Sequence, residues 1–355
     1  MNIVVLAGGI SPERDVSLSS GKMIYTALKE KGHQAILLDV YLGYEKEIVG
    51  DLTAVFAQHT DWAADIVAIK SESPDILEVK ARRMDGDKNF FGPNVIRLCQ
   101  AADVVFIALH GESGEDGKIQ AAFDLMGIRY TGSDHMSSAI AMDKILSKEL
   151  FRLHGIPTPV GIEVSQGEAV KLPEGMKSPD IKSPDIKYPV IVKANNGGSS
   201  VGVSVARNDL EYAEALKEAY CYDEVALVEQ YIEGREFSVG VLAGKAFPVI
   251  EIAPKQGFFD YHNKYQPGAT VETCPALISQ ATASLLQRLA EKVFVVLRLK
   301  NYARIDFMMD GEGDVYCLEA NTLPGMSPAS LLPKEAAVAG IEFGELCERI
   351  VAGVR

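Results

Sequence analysis

Cysteine is scarce and scattered. Cys99, Cys221, Cys274, Cys317 and Cys347 are odd in number and far apart in 355 residues, which argues against a disulfide framework and against a thiolate zinc site. Long runs of basic residues are also missing. With 35 Lys and Arg against 49 Asp and Glu the formal net charge is −14, and an acidic surface of that size opposes nucleic acid and anionic membrane as partners. No stretch approaches the roughly 18 uninterrupted apolar residues of a membrane helix. The opening Met1-Asn2-Ile3-Val4-Val5-Leu6 is too short and lacks the basic flank of a signal peptide. A cytoplasmic protein is therefore expected. Two nucleotide loops are absent as well: there is no Walker lysine motif and no G-x-G-x-x-G fingerprint. What remains is an ordinary globular composition, 47% hydrophobic and 24% charged, long enough for two or three domains of about 100–150 residues.

The chain alternates strand and helix signals. Residues 3–6 form an apolar strand, Ala7-Gly8-Gly9 a tight turn, and Met23, Ile24, Ala27 and Leu28 mark a helical face closed by Gly32. Further strands are expected at 35–39 and 104–109, the latter ending at His110-Gly111-Glu112. This alternation implies an α/β unit with a parallel sheet, whose ligands gather beyond the carboxyl ends of the strands, where Glu13 and His110 fall. No motif is readable in residues 41–100. A helix over 137–153 opens the next segment. The five-residue repeat in 177–187, rich in proline and polar residues, reads as an exposed connection. Strands at 190–193 and 203–206 flank Asn195-Asn196-Gly197-Gly198-Ser199-Ser200-Val201-Gly202, with a helix over 210–219. A long helix over 280–297 precedes the last strands. The expected divisions are 1–132, 133–228 and 229–355.

Three constellations carry chemistry. The glycine-serine loop offers successive backbone N–H groups and the hydroxyls of Ser199 and Ser200 to phosphate oxygens; a plain hairpin turn is the competing explanation. Its formal match to a hydrolase G-x-S-x-G elbow fails, because a strand rather than a helix follows. The second is a hairpin: residues 304–309 and 315–321 both alternate, around the turn 310–314. Pairing Met309 with Tyr316 sets Asp306 opposite Glu319, with Asn321 alongside and Arg304 on the same face as Asp306. Acidic residues interrupting otherwise buried strands would repel unless a cation compensates them, which favours a magnesium site over a solvated face. The third is a pair of isolated lysines, Lys144 in Met142-Asp143-Lys144 and Lys193 before the glycine loop: a lone lysine is normally a snorkelling surface residue, but two on separate elements near a phosphate site fit charge partners for ATP. Glu229 to Glu236 follow a strand whose end could hold adenine and ribose, or could be a polar strand terminus.

Taken together and in order, His110-Gly111-Glu112 with Gly114-Glu115-Asp116-Gly117, Met142-Asp143-Lys144, Gly198-Ser199-Ser200-Val201-Gly202, Lys264-Tyr265, Arg304-Ile305-Asp306, and Leu318-Glu319-Ala320-Asn321-Thr322 with Pro324-Gly325-Met326 resemble the D-alanine–D-alanine ligase family. The resemblance spans nearly the whole chain except about 41–100 and 165–187. It implies an ATP-grasp fold behind an N-terminal α/β domain, and a cytoplasmic, peptidoglycan-building ATP-dependent ligase acting as a homodimer. By that likeness Lys144, Lys193, Ser199, Ser200, Glu229, Tyr231, Ile232, Glu236, Lys264, Met308 and Leu318 hold ATP, with Glu229 at the adenine and Glu236 at the ribose. Asp306, Glu319 and Asn321 bind two Mg²⁺ (or Mn²⁺) ions. Glu13, helped by His110, anchors the first D-alanine's ammonium. Arg304 and the Gly325 backbone stabilise the oxyanion, and Ser330 and Leu331 hold the second D-alanine's carboxylate. Tyr265, on a loop over 257–268, closes the site through Ser199 and Glu13. Gln230 and Phe259 depart from the family pattern, where some members carry lysine and tyrosine. A D-alanine–D-serine or D-alanine–D-lactate ligase, or a catalytically idle nucleotide-binding relative, are the alternatives.

Overall fold

Residues Ile3 to Ala7 are all shielded from solvent, as expected of a parallel strand covered on both faces. They form β1 (Asn2–Ala7), the centre of a parallel sheet ordered β2-β1-β3, with β2 spanning Gln34–Asp39 and β3 Val104–Ile107. The computed structural model describes residues 1–66, 74–83, 85–86, 89–167, 186–198, 202–255, 269–327 and 330–354. Helices α1 (Arg14–Glu30), α2 (Ile76–Ala81), α3 (Val95–Ala101) and α4 (Lys118–Met126) accompany the sheet. At the carboxyl end of β1 the turn requires glycine: Gly8 has φ +78°, and a Cβ there would lie 2.5 Å from the Asp39 carboxylate. Asp39 in turn accepts the backbone N–H groups of Tyr41 and Leu42 and pairs with Arg14.

Where one helix is expected over 137–153, the structure has two, α5 (His135–Met142) and α6 (Lys144–Leu153). Asp143 between them is extended, with ψ 103°, and its carboxylate accepts the Leu146 N–H at 2.9 Å. An Asp side chain that can cap the next helix competes with continuation of the previous one. The break makes Lys144 the first residue of a new helix. Both helices pack on the third sheet described below, contributing Ala141 and Phe151 to its core, although sequence assigns them to the middle segment.

The middle sheet is antiparallel, ordered β4-β7-β5-β6: β4 (Gly161–Ser165), β5 (Val190–Ala194), β6 (Val203–Ala206) and β7 (Val225–Gln230). Helix α7 (Asp209–Ala219), capped by Asn208, lays Tyr212, Ala215, Leu216 and Ala219 onto one face and gives this lobe its own small core. The repeat at 177–185 lies outside the described residues.

The third sheet, ordered β11-β10-β8-β12-β13 with β9 (Lys245–Ala246) on β8, is built from β8 (Gly234–Leu242), β10 (Ile250–Pro254), β11 (Thr270–Thr273), β12 (Tyr302–Asp310) and β13 (Val315–Asn321). Helix α8 (Gln280–Val296) covers one face through Leu286, Leu289, Ala290 and Val293. Helix α9 (Leu331–Val338) packs on β8, and α10 (Phe343–Ala352) returns to α1, so Leu346, Cys347 and Ile350 sit in the first lobe's core. The expected register of the β12–β13 hairpin is off by one near its turn: Met309 faces Val315 and Met308 faces Tyr316. The register then shifts between Asp306 and Phe307, so that Leu318 has no partner and Asp306 faces Glu319 as expected. An extra residue in one strand is what a β-bulge inserts; without it Asp306 would face Leu318. Among the described residues, no helix is long and apolar enough to cross a membrane.

Candidate active site

The middle and third sheets enclose a cleft of about 600 Å³. Its middle-lobe wall carries Ile191, Lys193, Val203, Val205 and Glu229. Its opposite wall carries Glu236, Asp306, Met308, Leu318 and Glu319, with Lys144, Gly197 and Gly198 at one end and Tyr231 and Ile232 at the strand crossing. The bulge explains why Leu318 and Glu319, consecutive in sequence, both line the cleft. Apolar Ile191, Met308 and Leu318 on facing walls leave a slot suited to a flat ring, and the charged groups lie beyond it.

Lysines organise one side. Lys193, at the end of β5, donates to a carboxylate oxygen of Glu229, and Lys148 places its Nζ 2.8 Å from the other oxygen. Lys148 also donates to Thr158 Oγ1, whose hydroxyl donates to the Cys317 carbonyl. Burial alone would raise the Glu229 pKa, but the two ammonium groups overcome it and hold the carboxyl at about 2. Two cations share one anion here, so the strain of burial falls on the second cation: Lys148 is pushed down by desolvation despite Glu229. Lys148, which sequence reasoning missed, lies one helical turn after Lys144, and that i, i+4 spacing is the signal that could have found it. Lys144 donates from Nζ to the Gly197 carbonyl at 2.7 Å, and Asn195 Oδ1 accepts the Ile145 N–H. The start of α6 thus holds the root of the glycine loop. Ser199 and Ser200 themselves, with Phe259, Lys264 and Tyr265, lie outside the described residues.

The acidic side is a hydrogen-bonded cluster. Asp306 accepts from Arg304 Nε at 3.0 Å and Nη2 at 2.8 Å, from Ser238 Oγ at 2.7 Å and from Asn321 Nδ2 at 2.9 Å. Arg304 and Asp306 share a face of β12 and pair bidentately, a geometry specific to guanidinium and carboxylate. Ser238, on β8 opposite Asp306, was not foreseen.

The first lobe closes the far end. Glu13, at the cap position of α1, is buried, and its carboxylate sits in a notch between two glycines: a Cβ on Gly111 would fall 2.5 Å from Oε2, and one on Gly198 2.8 Å. A group from the first lobe therefore touches the glycine loop of the middle lobe. His110 lies within electrostatic reach of Glu13 and is held by contacts of its own. Its Nδ1 faces the Leu323 carbonyl at 2.9 Å and its Nε2 faces Ser20 Oγ at 3.1 Å, while Ser20 Oγ accepts the Met326 N–H. The Leu323 carbonyl can only accept, so Nδ1 carries a proton, and burial lowers the ring's pKa, which favours the neutral form. Nδ1 thus holds the loop over 322–327, which contains Gly325, directly, and Nε2 reaches it only through Ser20. Glu115 holds the same loop: its carboxylate accepts the Gly111 and Leu323 N–H groups, and burial beside Glu13 raises it to about 7. Gly325 abuts Ser330, whose Oγ would be 2.6 Å from a Cβ there. Ser330 Oγ also lies 2.9 Å from Ser327 Oγ, and Leu331 begins α9.

Two α+β lobes gripping a cleft, cationic on one sheet and carboxylate-bearing on the other, behind a parallel α/β domain, define the ATP-grasp architecture. Profiles described as the D-ala D-ala ligase N-terminus and C-terminus match residues 2–133 and 150–352. A D-alanine–D-alanine ligase of Pediococcus pentosaceus is 44% identical over 99% of this chain and 97% of its own length, and one of Lacticaseibacillus casei is 41% identical over 99% and 95%. Among solved structures, D-alanine–D-alanine ligase from Bacillus anthracis complexed with ATP aligns with a TM-score of 0.72 at 28% identity, covering 99% of this chain and 96% of that one. The enzyme from Coxiella burnetii aligns at 0.74 and 26%, covering 99% and 93%. The chain belongs to the D-alanine–D-alanine ligase family.

Proposed function

We propose that this protein joins two D-alanine molecules at the expense of ATP, through a D-alanyl phosphate, releasing ADP, phosphate and D-alanyl-D-alanine for peptidoglycan precursors. The observation that carries it is the Arg304–Asp306–Glu319–Asn321 face set across the cleft from Lys193 and Lys144. The adenine takes the slot between Ile191 and Met308–Leu318, beside Tyr231 and Ile232, and Glu236 reaches the ribose. Because Glu229 is tied to two lysines, its main contribution is to aim Lys193 at the phosphates, which also meet Lys144 and the glycine loop.

Asp306 and Glu319 face each other across the hairpin and Asn321 adds an amide oxygen, a hard-donor set that fits Mg²⁺ once phosphate oxygens complete it. Bound there, magnesium supplies neutralisation of phosphate charge. Glu13 holds the first D-alanine's ammonium from its notch between Gly111 and Gly198. The carboxylate of that D-alanine attacks the γ-phosphate; the second D-alanine's amine, as free base, then attacks the acyl carbon and phosphate leaves. Arg304 and the Gly325 N–H offset the charge on the tetrahedral oxygen. His110 and Glu115 keep Gly325 at that height. Ser330 and the α9 N-terminus at Leu331 receive the second carboxylate, a placement that exposed helix N–H groups favour. Tyr265 closes the loop over the second substrate through Ser199 and Glu13. The expected setting is the cytoplasm, as a homodimer with three working units divided near residues 132 and 228.

The test is ADP and phosphate release from MgATP with D-alanine, D-serine and D-lactate in competition, with products read by mass spectrometry. D-alanyl-D-alanine as the dominant product is expected. Phosphate release independent of any D-amino acid, or a mixed D-alanyl-D-lactate product from the native enzyme, would overturn the assignment.

A further inference from the structure

Glu335 lies wholly inside the protein on α9, one turn beyond Leu331. One oxygen, Oε2, accepts the Gly240 N–H at 3.0 Å, and the other has no hydrogen-bond partner among the described residues. Gly240 stands directly opposite Arg304 in the β8–β12 ladder. On its other side β8 passes from pairing with β10, up to Ser238, to pairing with β9, from Val241. In that gap the Gly240 carbonyl accepts from the Phe247 N–H, and its own N–H takes a side chain from the helix instead of a strand. The helix can come this close only because residue 240 is glycine: a Cβ would lie 2.4 Å from Leu332 Cδ1 and 2.6 Å from Glu335 Oε2. A second tether, Lys334 to Glu272, ties the same helix to β11.

We propose that Glu335 is a positioning residue which, through the Gly240 N–H, fixes the helix starting at Leu331 against the strand carrying Arg304, and so sets Ser330 and Leu331 at the height where the second amino acid's carboxylate is held. This rests on the ligase function proposed above and adds to it the element that shapes the second-substrate subsite. The groups near enough to feel the carboxyl's charge are Arg304 and Asp306 from β12 and the Cys274 thiol beyond β11. Burial raises Glu335 to about 8, against the pull of the Gly240 N–H and Arg304. It therefore carries a proton near neutrality, and a neutral acid with one unpaired oxygen is far less costly there than an anion. A glutamine matches it in shape, charge and acceptor; a methionine matches only its bulk.

The experiment compares E335Q, E335M and G240A with the native enzyme, fitting dipeptide formation against D-alanine to separate the two amino-acid KM values, and measuring the ATP KM alongside. E335M, which removes the acceptor, and G240A, whose Cβ would push the helix off the strand, are each expected to raise the second D-alanine KM on the order of tenfold, about the worth of one buried hydrogen bond. The first D-alanine KM and the ATP KM should stay within about twofold, since Glu13 and the lysines are untouched. E335Q should stay within about twofold of native throughout. An unchanged second KM in E335M, E335Q as impaired as E335M, or an ATP KM rising in step would each overturn the proposal. If E335M fails to fold, G240A against E335Q decides. A native enzyme that makes no dipeptide would instead defeat the ligase assignment, which keeps the two failures apart.

Discussion

Replacing Glu229 with Gln tests the charge balance that the cleft is built on. Glu229 is 2% exposed and Lys148 is 1% exposed, so neither charge is relieved by solvent. The carboxyl's ordinary value is 4.5 and the folded one is about 2; at about 1.4 kcal/mol per unit the cluster contributes about 3 kcal/mol at neutral pH. Breaking a buried pair from one side costs about 3–5 kcal/mol by a separate route, because the remaining ions are left uncompensated. Since the folded pKa lies below the unfolded one, the folded state binds fewer protons. The contribution is therefore complete above about pH 4.5 and is lost as pH falls toward about 2. E229Q should thus be destabilised by about 3 kcal/mol at pH 7, and it should lose about 1 kcal/mol less than native between pH 4.5 and 3.5. Adding Lys148→Met removes the surplus cation and should restore a substantial part of the stability. Denaturant unfolding followed by circular dichroism at the three pH values, for native, E229Q and the double variant, gives all of these numbers. An E229Q protein within about 1 kcal/mol of native at pH 7, or one with the same acid sensitivity as native, would refute the reasoning.

Asp306→Ala or Glu319→Ala should lower ligase turnover by several kcal/mol of transition-state stabilisation at saturating magnesium; near-normal turnover in steady-state assays would exclude the metal role. Gly198→Ala brings a methyl 2.8 Å from Glu13 Oε2 and should raise the first D-alanine KM by about tenfold or more, with the second KM much less affected; kinetics resolving the two sites would show it. Tyr265→Phe removes one hydroxyl at a net cost of about 1 kcal/mol and should retain dipeptide synthesis while gaining measurable D-alanyl-D-lactate. Equal depsipeptide yields from variant and native enzyme by mass spectrometry would rule out that role for Tyr265.

The sequence made the strands of the parallel sheet legible because burial on both faces leaves runs such as Ile3 to Ala7 with nothing but apolar residues. It made the Asp306–Glu319 pairing legible through period-two alternation, yet hid the bulge at Leu318, since a bulge is set by the pairing of two strands and leaves no fixed mark in either. Asp143 concealed the break between α5 and α6 for a related reason: an Asp is compatible with a helix until its carboxylate finds a free N–H. Lys148 and Glu335 stayed invisible because lysine and glutamate on amphipathic helices are nearly always solvated, and only the third dimension reveals that these two are not. The contacts that orient His110 were not legible, since they depend on Ser20 of α1 and on Leu323 and Met326 of a distant loop converging on it.

The separate core of the middle lobe gives it the character of an exchangeable cassette. Its four strands and α7 pack among themselves around Tyr212, Val192 and Val228, whereas the first lobe's core runs on into the third lobe through Tyr302, Leu323, Met326 and Ile350, apart from the third sheet's own α8 core. Among the described residues, a graft of residues 157–231 from another family member would have to respect few joints: the Pro157 and Thr158 bonds to Cys317, the Asn195 and Gly197 contacts with the head of α6, Glu229 against Lys148, and Gly198 against Glu13. Most of these joints belong to α6 and β13, which stay behind in the recipient. Affinity for the nucleotide should therefore be tunable from the middle lobe provided the graft keeps Gly198, which bounds the Glu13 notch, while the rest of the amino-acid subsites are built on the other two lobes. Evolution would have had the same freedom to retune affinity for the energy donor while leaving the choice of amino acid fixed.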